Sequence, residues 1–259
     1  MKILVTNDDG IFAQGLWTLV KALKKIAQVI VVAPHEEQSG IGTAVTLRHP
    51  LRMQRAKPLV PEVETYSVEG TPADSVILAL TKLAKNKIDL VVSGINHGPN
   101  LGDDVLISGT VGAALQGYLH GFHAVAISID AWEDPYFDAA AELAVLLAKR
   151  IESHPLPANI FLNVNLPNLP PSQIRGLEIT HLANISHTNS VKEENDGKEG
   201  FYQLIRQRID KAADNKTDVW AIEQGNISIT PLHTNLANNP SPPVLDSLCS
   251  DLLQELQKR

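Results

Sequence analysis

The first half of the chain alternates short β-branched runs with longer amphipathic stretches, a pattern typical of parallel strands covered by crossover helices. Residues 2–6 and 28–33 each predict a buried strand. Between them, apolar residues recur at helical spacing: Leu16, Leu19, Val20, Leu23 and Ile26. Residues 16–26 therefore predict a helix with one buried face.

The next elements carry local start signals. Residues 64–68 alternate polar and apolar positions and predict a half-exposed strand. Thr71 can cap a following helix, with Pro72 in its first turn. Asp74 stands three residues after Thr71, the spacing of a capping box, and this helix is expected to run to about Lys85.

The central part of the chain repeats the alternation of strand and helix. Strands are predicted at residues 88–93 and 125–129, and helices at 111–119 and 138–152. Residues 94–104 are rich in glycine and asparagine and predict a loop. The pattern indicates an α/β fold with a mostly parallel sheet flanked by helices.

The composition changes after His154. Prolines punctuate the next stretch, and residues 184–200 are polar and turn-rich. Further strands are suggested by six apolar residues: Ile205, Ile209, Val219, Ile222, Ile227 and Ile229. Residues 244–257 predict a terminal helix. We expect a core over residues 1–153 and a C-terminal β-rich excursion over 154–259, with a returning strand and that helix.

Composition limits the classes of protein to consider. With 259 residues and 44% hydrophobic content, the chain can bury a large core without disulfides. Cys249 is the single cysteine, and Met1 and Lys2 lead directly into a strand without an apolar secretory segment, so a cytoplasmic location is expected. No run approaches the roughly 20 apolar residues of a membrane span.

The formal net charge of -7 argues against binding to a nucleic-acid duplex, which requires a basic surface. A small anionic ligand remains compatible with this charge. A bound divalent cation and the N-terminal ends of helices can supply the local positive charge that a phosphate needs.

Polar residues follow several predicted strands, where ligands bind in open parallel sheets. Asp8 and Asp9 come directly after the first strand, and two adjacent buried carboxylates favour a hard cation such as Mg²⁺ or Mn²⁺. Ser39 and Asn96 follow later strands and offer neutral oxygen ligands. A turn in which one aspartate caps a helix, with Ser39 and Asn96 as loop residues, stays open as an alternative.

A second candidate is the segment Ser108-Gly109-Thr110 before a helix of small residues. Free backbone N–H groups and the helix dipole at such a point can hold phosphate, although an ordinary helix cap explains the same residues. His97 lies among these residues and is suited either to proton transfer or to a structural hydrogen bond.

Together these segments resemble the SurE family of survival proteins, which are 5'/3'-nucleotidases. The opening Ile3-Leu4-Val5-Thr6-Asn7-Asp8-Asp9-Gly10 resembles the family signature. The other motifs occur in family order: Ala33-Pro34, Gln38-Ser39-Gly40, Glu69-Gly70-Thr71-Pro72-Ala73-Asp74, Ser93-Gly94-Ile95-Asn96, Gly98-Pro99-Asn100-Leu101-Gly102, Ser108-Gly109-Thr110-Val111-Gly112-Ala113-Ala114 and Ile227-Ser228-Ile229-Thr230-Pro231-Leu232. Ile107 and Gly112 depart from the commonest pattern, which has an aromatic residue and an alanine there.

The resemblance implies a Rossmann-like core, a C-terminal excursion used in oligomerisation, and a homodimer or tetramer. It also implies one Mg²⁺ or Mn²⁺ per subunit and hydrolysis of nucleoside 5'- and 3'-monophosphates, with short polyphosphate as a further substrate. The implied metal ligands are Asp8, Asp9, Ser39 and Asn96. Our own hypothesis for the mechanism is that Asp8 or Asp9 accepts a proton from the attacking water and that Asn96, Ser108, Gly109 and Thr110 hold the phosphate oxygens.

Three other classes of protein place different requirements on the sequence. A dinucleotide-dependent oxidoreductase needs a glycine fingerprint where this chain has Asn7-Asp8-Asp9-Gly10. A phosphatase with an aspartyl-phosphate intermediate needs a carboxylate two residues after the nucleophile, where Gly10 stands. A non-catalytic nucleotide-binding protein with the same fold is compatible with the sequence.

Overall fold

The computed structural model describes residues 1–83, 88–153, 159–184, 187–193, 201–208, 214–235 and 252. The strands in chain order are β1 (Lys2–Thr6), β2 (Gln28–Pro34), β3 (Met53–Arg55), β4 (Glu64–Val68), β5 (Leu90–His97), β6 (His123–Asp130), β7 (Phe161–Pro167), β8 (Gly176–Ile179), β9 (His187–Glu193), β10 (Tyr202–Arg208) and β11 (Asn226–Pro231). The α-helices are α1 (Gln14–Leu23), α2 (Pro72–Leu78), α3 (Gly109–Leu119), α4 (Phe137–Ser153) and α5 (Asp218–Glu223).

Within the described part of the chain, nine strands form one sheet in the order β3-β4-β2-β1-β5-β6-β7-β11-β8. Pairing is parallel except between β3 and β4 and between β7 and β11. The remaining two strands, β9 and β10, form an antiparallel hairpin. This architecture confirms the predicted α/β fold with a mostly parallel sheet flanked by helices.

Apolar side chains pack on both faces of the sheet, which explains the continuous apolar runs of the central strands. Ile3 and Val5 of β1 belong to a cluster that contains Leu16 of α1 and Ala140 of α4. Leu4 of β1 points to the other face and belongs to a second cluster, which includes residues of α2 and α3. The two layers of helices hold the strands from both sides, and the strand ends carry the polar residues.

Several predicted elements have different bounds in the structure. Helix α1 begins two residues earlier and ends three residues earlier than predicted. Strand β5 was predicted to end at Ser93, but it continues to His97 because its pairing with β6 resumes after a bulge. Strand β4 was predicted to be half-exposed, but only Glu64 is exposed. The hydroxyls of Thr65 and Ser67 hydrogen-bond to Val63 O and His35 Nδ1, which makes their burial possible.

The capping box before α2 is confirmed. Thr71 Oγ1 accepts a hydrogen bond from Asp74 N, and Asp74 Oδ2 accepts one from Thr71 N. The helix continues as a π-helical segment, Ala79–Leu83, and its predicted end at Lys85 lies outside the described residues. Helix α3 begins two residues earlier than predicted, because Ser108 is its N-cap.

The C-terminal predictions were less accurate. Val219 and Ile222 lie in helix α5 and not in a strand, and residues 184–200 include strand β9. Ile205 lies in β10, and Ile227 and Ile229 lie in β11 as predicted. Ile209 and the predicted terminal helix, apart from Leu252, lie outside the described residues.

The division into residues 1–153 and 154–259 stays a prediction, although β7, β8 and β11 complete the same sheet as the first half. Among the residues described, no helix has the length and apolar character needed to cross a membrane.

A close contact between α1 and β5 gives a stability prediction. A Cβ on Gly15 would lie 2.1 Å from Ile95 O and 3.0 Å from the ring of Phe137. Helix propensity alone predicts that Gly15→Ala stabilises the protein by about 1 kcal/mol. We expect the opposite, a loss of about 1–3 kcal/mol in the free energy of unfolding, because the methyl group overpacks a fixed backbone contact.

Urea unfolding measures this change. The matched control is Gln14→Ala in the same helix, where the side chain is exposed and a change within about 0.5 kcal/mol is expected. A Gly15→Ala protein as stable as the Gln14→Ala protein would contradict the argument.

Candidate active site

The predicted site residues converge at the edge of the sheet where the parallel strands end. Asp8 and Asp9 follow β1, Ser39 lies in the turn after β2, and Asn96 lies near the end of β5. A cleft of about 250 Å³ opens at this edge, and its lining includes Ser39, Asn96 and Ser108. The structure therefore brings residues from three separate segments to one cavity.

Asp8 is 4% exposed and packs against the first turn of α3. Its carboxylate accepts a hydrogen bond from Thr110 Oγ1, and its main-chain oxygen accepts one from Gln38 N at 2.7 Å. A Cβ on Gly109 would lie 2.9 Å from Asp8 Oδ2, so only glycine allows this approach. Burial raises the pKa of Asp8, and the hydrogen bond from Thr110 offsets only part of that shift.

Asp9 is the second carboxylate of the pair. Burial is the main cause that raises its pKa to about 7, and the negative charge of Asp8 adds to the shift. A backbone hydrogen bond from His97 lowers it in part, while Glu37 contributes further repulsion. Hence His97 contacts the site through its main chain.

Asn96 is buried, and a bulge in β5 sets its position. Ser93 pairs with Ala126 and Asn96 with Ser128, so β5 contains one more residue than β6 in this interval. Gly94 allows the bulge, since a Cβ there would lie 2.3 Å from Ile127 O. Asn96 Nδ2 donates to Gly98 O at 2.8 Å, which leaves Oδ1 as the atom it can offer a ligand.

Ser39 differs from the other predicted ligands in being exposed. Its hydroxyl donates a hydrogen bond to Glu37 Oε1 at 2.8 Å. The turn that carries Ser39 is tied to the segment before α3, because Gly42 N donates to Ile107 O at 2.8 Å. This contact holds Ser39 and Ser108 on the same cleft.

The segment Ser108-Gly109-Thr110 forms the start of α3. Ser108 Oγ accepts from Val111 N at 3.1 Å, so this serine is a helix cap as well as a cleft residue. Gly112 N donates to Ser108 O. The N–H group of Thr110 also donates to the Asp8 carboxylate, so the N–H group of Gly109 is the first-turn donor left for an anion. The Thr110 hydroxyl, predicted as a phosphate ligand, is directed to Asp8 instead.

A buried asparagine network fixes the loop after β5. Asn100 N donates to Asn165 Oδ1 at 2.8 Å, and Asn100 Nδ2 donates to Ser128 Oγ at 2.8 Å. The side-chain amides of Asn163 and Asn165 both donate to Asn100 O. The site loop is therefore anchored on β6 and β7, which lie on one side of β5 in the sheet.

The cleft also contains side chains that the sequence analysis did not identify. Asp104 forms an ion pair with Arg206 of β10, and its carboxylate lies 2.5 Å from Nδ1 of His187 in β9. Both partners line the cleft together with Trp132. No local motif marks these residues, because tertiary pairing of the hairpin brings them to the site; an isolated tryptophan after a strand was the only visible signal.

The carboxylate pair fits a hard divalent cation. In the described residues, neither Asp8 nor Asp9 forms an ion pair with lysine, arginine or histidine. Both pKa values are raised in the metal-free protein, so the ionised pair lacks compensating charge. Oxygen atoms of Ser39 and Asn96 lie at the same cleft, and such donors suit Mg²⁺ or Mn²⁺.

The chain is similar to known proteins over most of its length. A 5'-nucleotidase SurE from Dehalococcoides mccartyi is 54% identical over 242 residues, which are 93% of this chain and 91% of that protein. A 5'-nucleotidase SurE from Vibrio parahaemolyticus is 42% identical over 249 residues, covering 95% and 94% of the two chains. The crystal structure of the SurE protein from Aquifex aeolicus superposes with a TM-score of 0.79 at 36% identity and covers 92% of this chain and 95% of that chain.

The family model described as "Survival protein SurE" matches residues 3–189. This range includes Asp8, Asp9, Ser39, Asn96 and the start of α3. Because the match spans more than half of the chain and the relatives are similar over almost their whole length, this chain belongs to the SurE family.

Proposed function

We propose that this protein is a metal-dependent nucleotidase that hydrolyses nucleoside 5'-monophosphates to nucleoside and phosphate. The observation that carries the proposal is the carboxylate pair of buried Asp8 and half-buried Asp9 beside the N-terminus of α3. Membership of the family and the names of the relatives support the substrate class. The proposal extends to 3'-monophosphates and short polyphosphate, which the resemblance implies.

We further propose that Asp8, Asp9, Ser39 and Asn96 hold one Mg²⁺ or Mn²⁺ per subunit. Such an ion would supply positive charge to the phosphoryl oxygens and make the attacking water more acidic. The amide of Asn96 suits the role of metal ligand better than that of phosphate ligand, because its Nδ2 already donates to Gly98 O.

The chain's own groups would position the substrate and move the proton. The N–H group of Gly109, with the hydroxyl of Ser108, would hold the phosphate oxygens at the positive end of α3, and Thr110 would orient Asp8 beside them. Asp8 or Asp9 would accept a proton of the attacking water as the water oxygen bonds to phosphorus. The bond between phosphorus and the nucleoside oxygen breaks, and the proton returns to that oxygen.

We also propose that the protein is a homo-oligomer, a dimer or a tetramer, in which the C-terminal excursion joins the subunits. Hairpin β9–β10 supports this proposal, because three of its apolar side chains are exposed: Val191, Tyr202 and Leu204. Exposed apolar patches of this kind mark interaction surfaces.

A panel of nucleoside 5'- and 3'-monophosphates tests the function directly. We expect phosphate release with Mn²⁺ or Mg²⁺ and none with a chelator, because the carboxylate pair is repulsive without a cation. Phosphate release is measured colorimetrically, and nucleotide binding by calorimetry. Binding without release under every metal condition would instead identify a nucleotide-binding protein.

Replacing Asp8 by Asn tests the role of the pair. Asp8→Asn keeps the size of the side chain and an acceptor for Thr110, so the fold should be retained. We expect kcat to fall by about a thousandfold or more, the scale of losing a catalytic electrostatic group. Phosphate release from AMP with Mn²⁺ measures it. The matched control is Glu36→Gln, because Glu36 is an exposed carboxylate at the same edge of the sheet. The kcat of this control should stay within twofold of the parent value. Equal kcat values for the two variants would contradict the role of Asp8.

Asp9 gives a pH dependence. In the metal-free protein its pKa is about 7, against an ordinary value of 3.8, so the folded state holds this proton more tightly than the unfolded chain. The free energy of unfolding should therefore fall as pH rises from about 4 to about 7. Asp9→Asn should flatten that slope. Urea unfolding at four pH values with a chelator compares the two proteins, and identical slopes would show that Asp9 titrates normally.

A further inference from the structure

Trp132 lies at the proposed active site and has no assigned role there. It stands two residues after β6 ends at Asp130. Ile129 of β6 pairs with His97 of β5, so the residues after β6 emerge on the same edge of the sheet as Asn96. The indole of Trp132 lines the cleft that contains Ser39, Asn96 and Ser108. Trp132 is nevertheless 72% exposed.

The indole is held against the loop that carries the predicted metal ligand. A Cβ on Gly98 would lie 3.0 Å from the six-membered ring of Trp132, so the ring packs directly on the Gly98 backbone. The imidazole of His97 lies beside it, with the ring centroids 6.4 Å apart. Gly98 O also accepts the hydrogen bond that orients Asn96. The same residue therefore positions both the indole and Asn96.

The chemistry of the cleft lining differs from that of the residues next to it. Asp8 and Asp9 do not line the cleft, but Asp8 packs on the start of α3 and Asp9 is hydrogen-bonded to the His97 backbone, so the carboxylates adjoin the lining. Trp132 offers a flat apolar surface, and Ile107 adds a second apolar side chain to the same lining. A phosphate alone would make no use of an exposed indole, whereas a nucleobase stacks on one.

We propose that the indole of Trp132 is the stacking surface for the nucleobase of the substrate and determines the preference for nucleotides over sugar phosphates without a base. This inference rests on the proposed nucleotidase function and identifies the part of the chain that recognises the nucleoside. It makes Trp132 a specificity-determining residue and leaves the chemistry at phosphorus to Asp8 and Asp9.

Two substrates separate stacking from catalysis. AMP and ribose 5-phosphate share the phosphate ester and the ribose, but only AMP carries a base. The measured quantity is the ratio of kcat/KM for AMP to kcat/KM for ribose 5-phosphate, with Mn²⁺ present. For Trp132→Ala we expect this ratio to fall about five- to hundredfold, mainly through a higher KM for AMP, which is the range for losing one base–aromatic stack. Trp132→Phe retains an aromatic face and should keep most of the ratio.

Tyr136→Ala is the matched control. Tyr136 lies in the same segment after β6 and is 48% exposed, but it does not belong to the lining of the cleft. We expect its ratio to equal that of the parent. Size-exclusion chromatography of each variant accompanies the kinetics, because an exposed tryptophan can also contact a second copy of the chain.

The outcomes distinguish this inference from the proposed function. A ratio that is unchanged in Trp132→Ala, while the parent hydrolyses both substrates, would overturn the stacking role and leave the nucleotidase intact. A variant whose assembly changes size with the ratio unchanged would also overturn it and assign Trp132 to a subunit contact. No phosphate release from either substrate in the parent would refute the proposed function itself.

Discussion

The candidate site depends on two adjacent carboxylates that are withdrawn from water at the end of β1. Asp8 is 4% exposed and Asp9 is half-buried where this strand leaves the core. The Thr110 hydroxyl and the His97 N–H stabilise the ionised forms only in part, because both pKa values remain raised. The proposed divalent cation would offset the rest. Without it, the raised pKa of Asp9 means that the ionised pair lowers the free energy of unfolding at neutral pH.

Close contacts at glycine residues fix the positions of the site residues. Gly109 lets Asp8 touch α3, and a Cβ on Gly112 would lie 2.4 Å from Gly42 O. The helix that would bind phosphate is thereby packed on the turn that follows Ser39. On the other face, Gly15 sets α1 directly on Ile95, next to the bulge that positions Asn96. The contacts of Gly112 with Gly42 and of Gly15 with Ile95 join backbone to backbone, so they depend little on flexible side chains.

The elements that short-range sequence signals determine were predicted correctly. The apolar run of β1 and the capping box of Thr71 and Asp74 are local patterns, and both occur as predicted. The continuation of β5 past Gly94 depends on pairing with β6, which no local pattern encodes. Val219 and Ile222 were misread as strand residues although their spacing of three fits a helix, and Thr217 before them is its cap. Arg206 and His187 reach the cleft only because a distant hairpin folds over it.

Thr110 lies between the carboxylate Asp8 and the proposed phosphate site at the N-terminus of α3. It is predicted to bind phosphate, yet both its hydroxyl and its N–H donate to Asp8. The N-terminus of α3 therefore faces one anion that the protein supplies and a second that the substrate would bring. Two anions at one helix terminus repel each other unless a cation lies between them. Phosphate affinity should accordingly depend on the cation even before any bond is broken, which explains why the carboxylates and the phosphate donors share one helix turn.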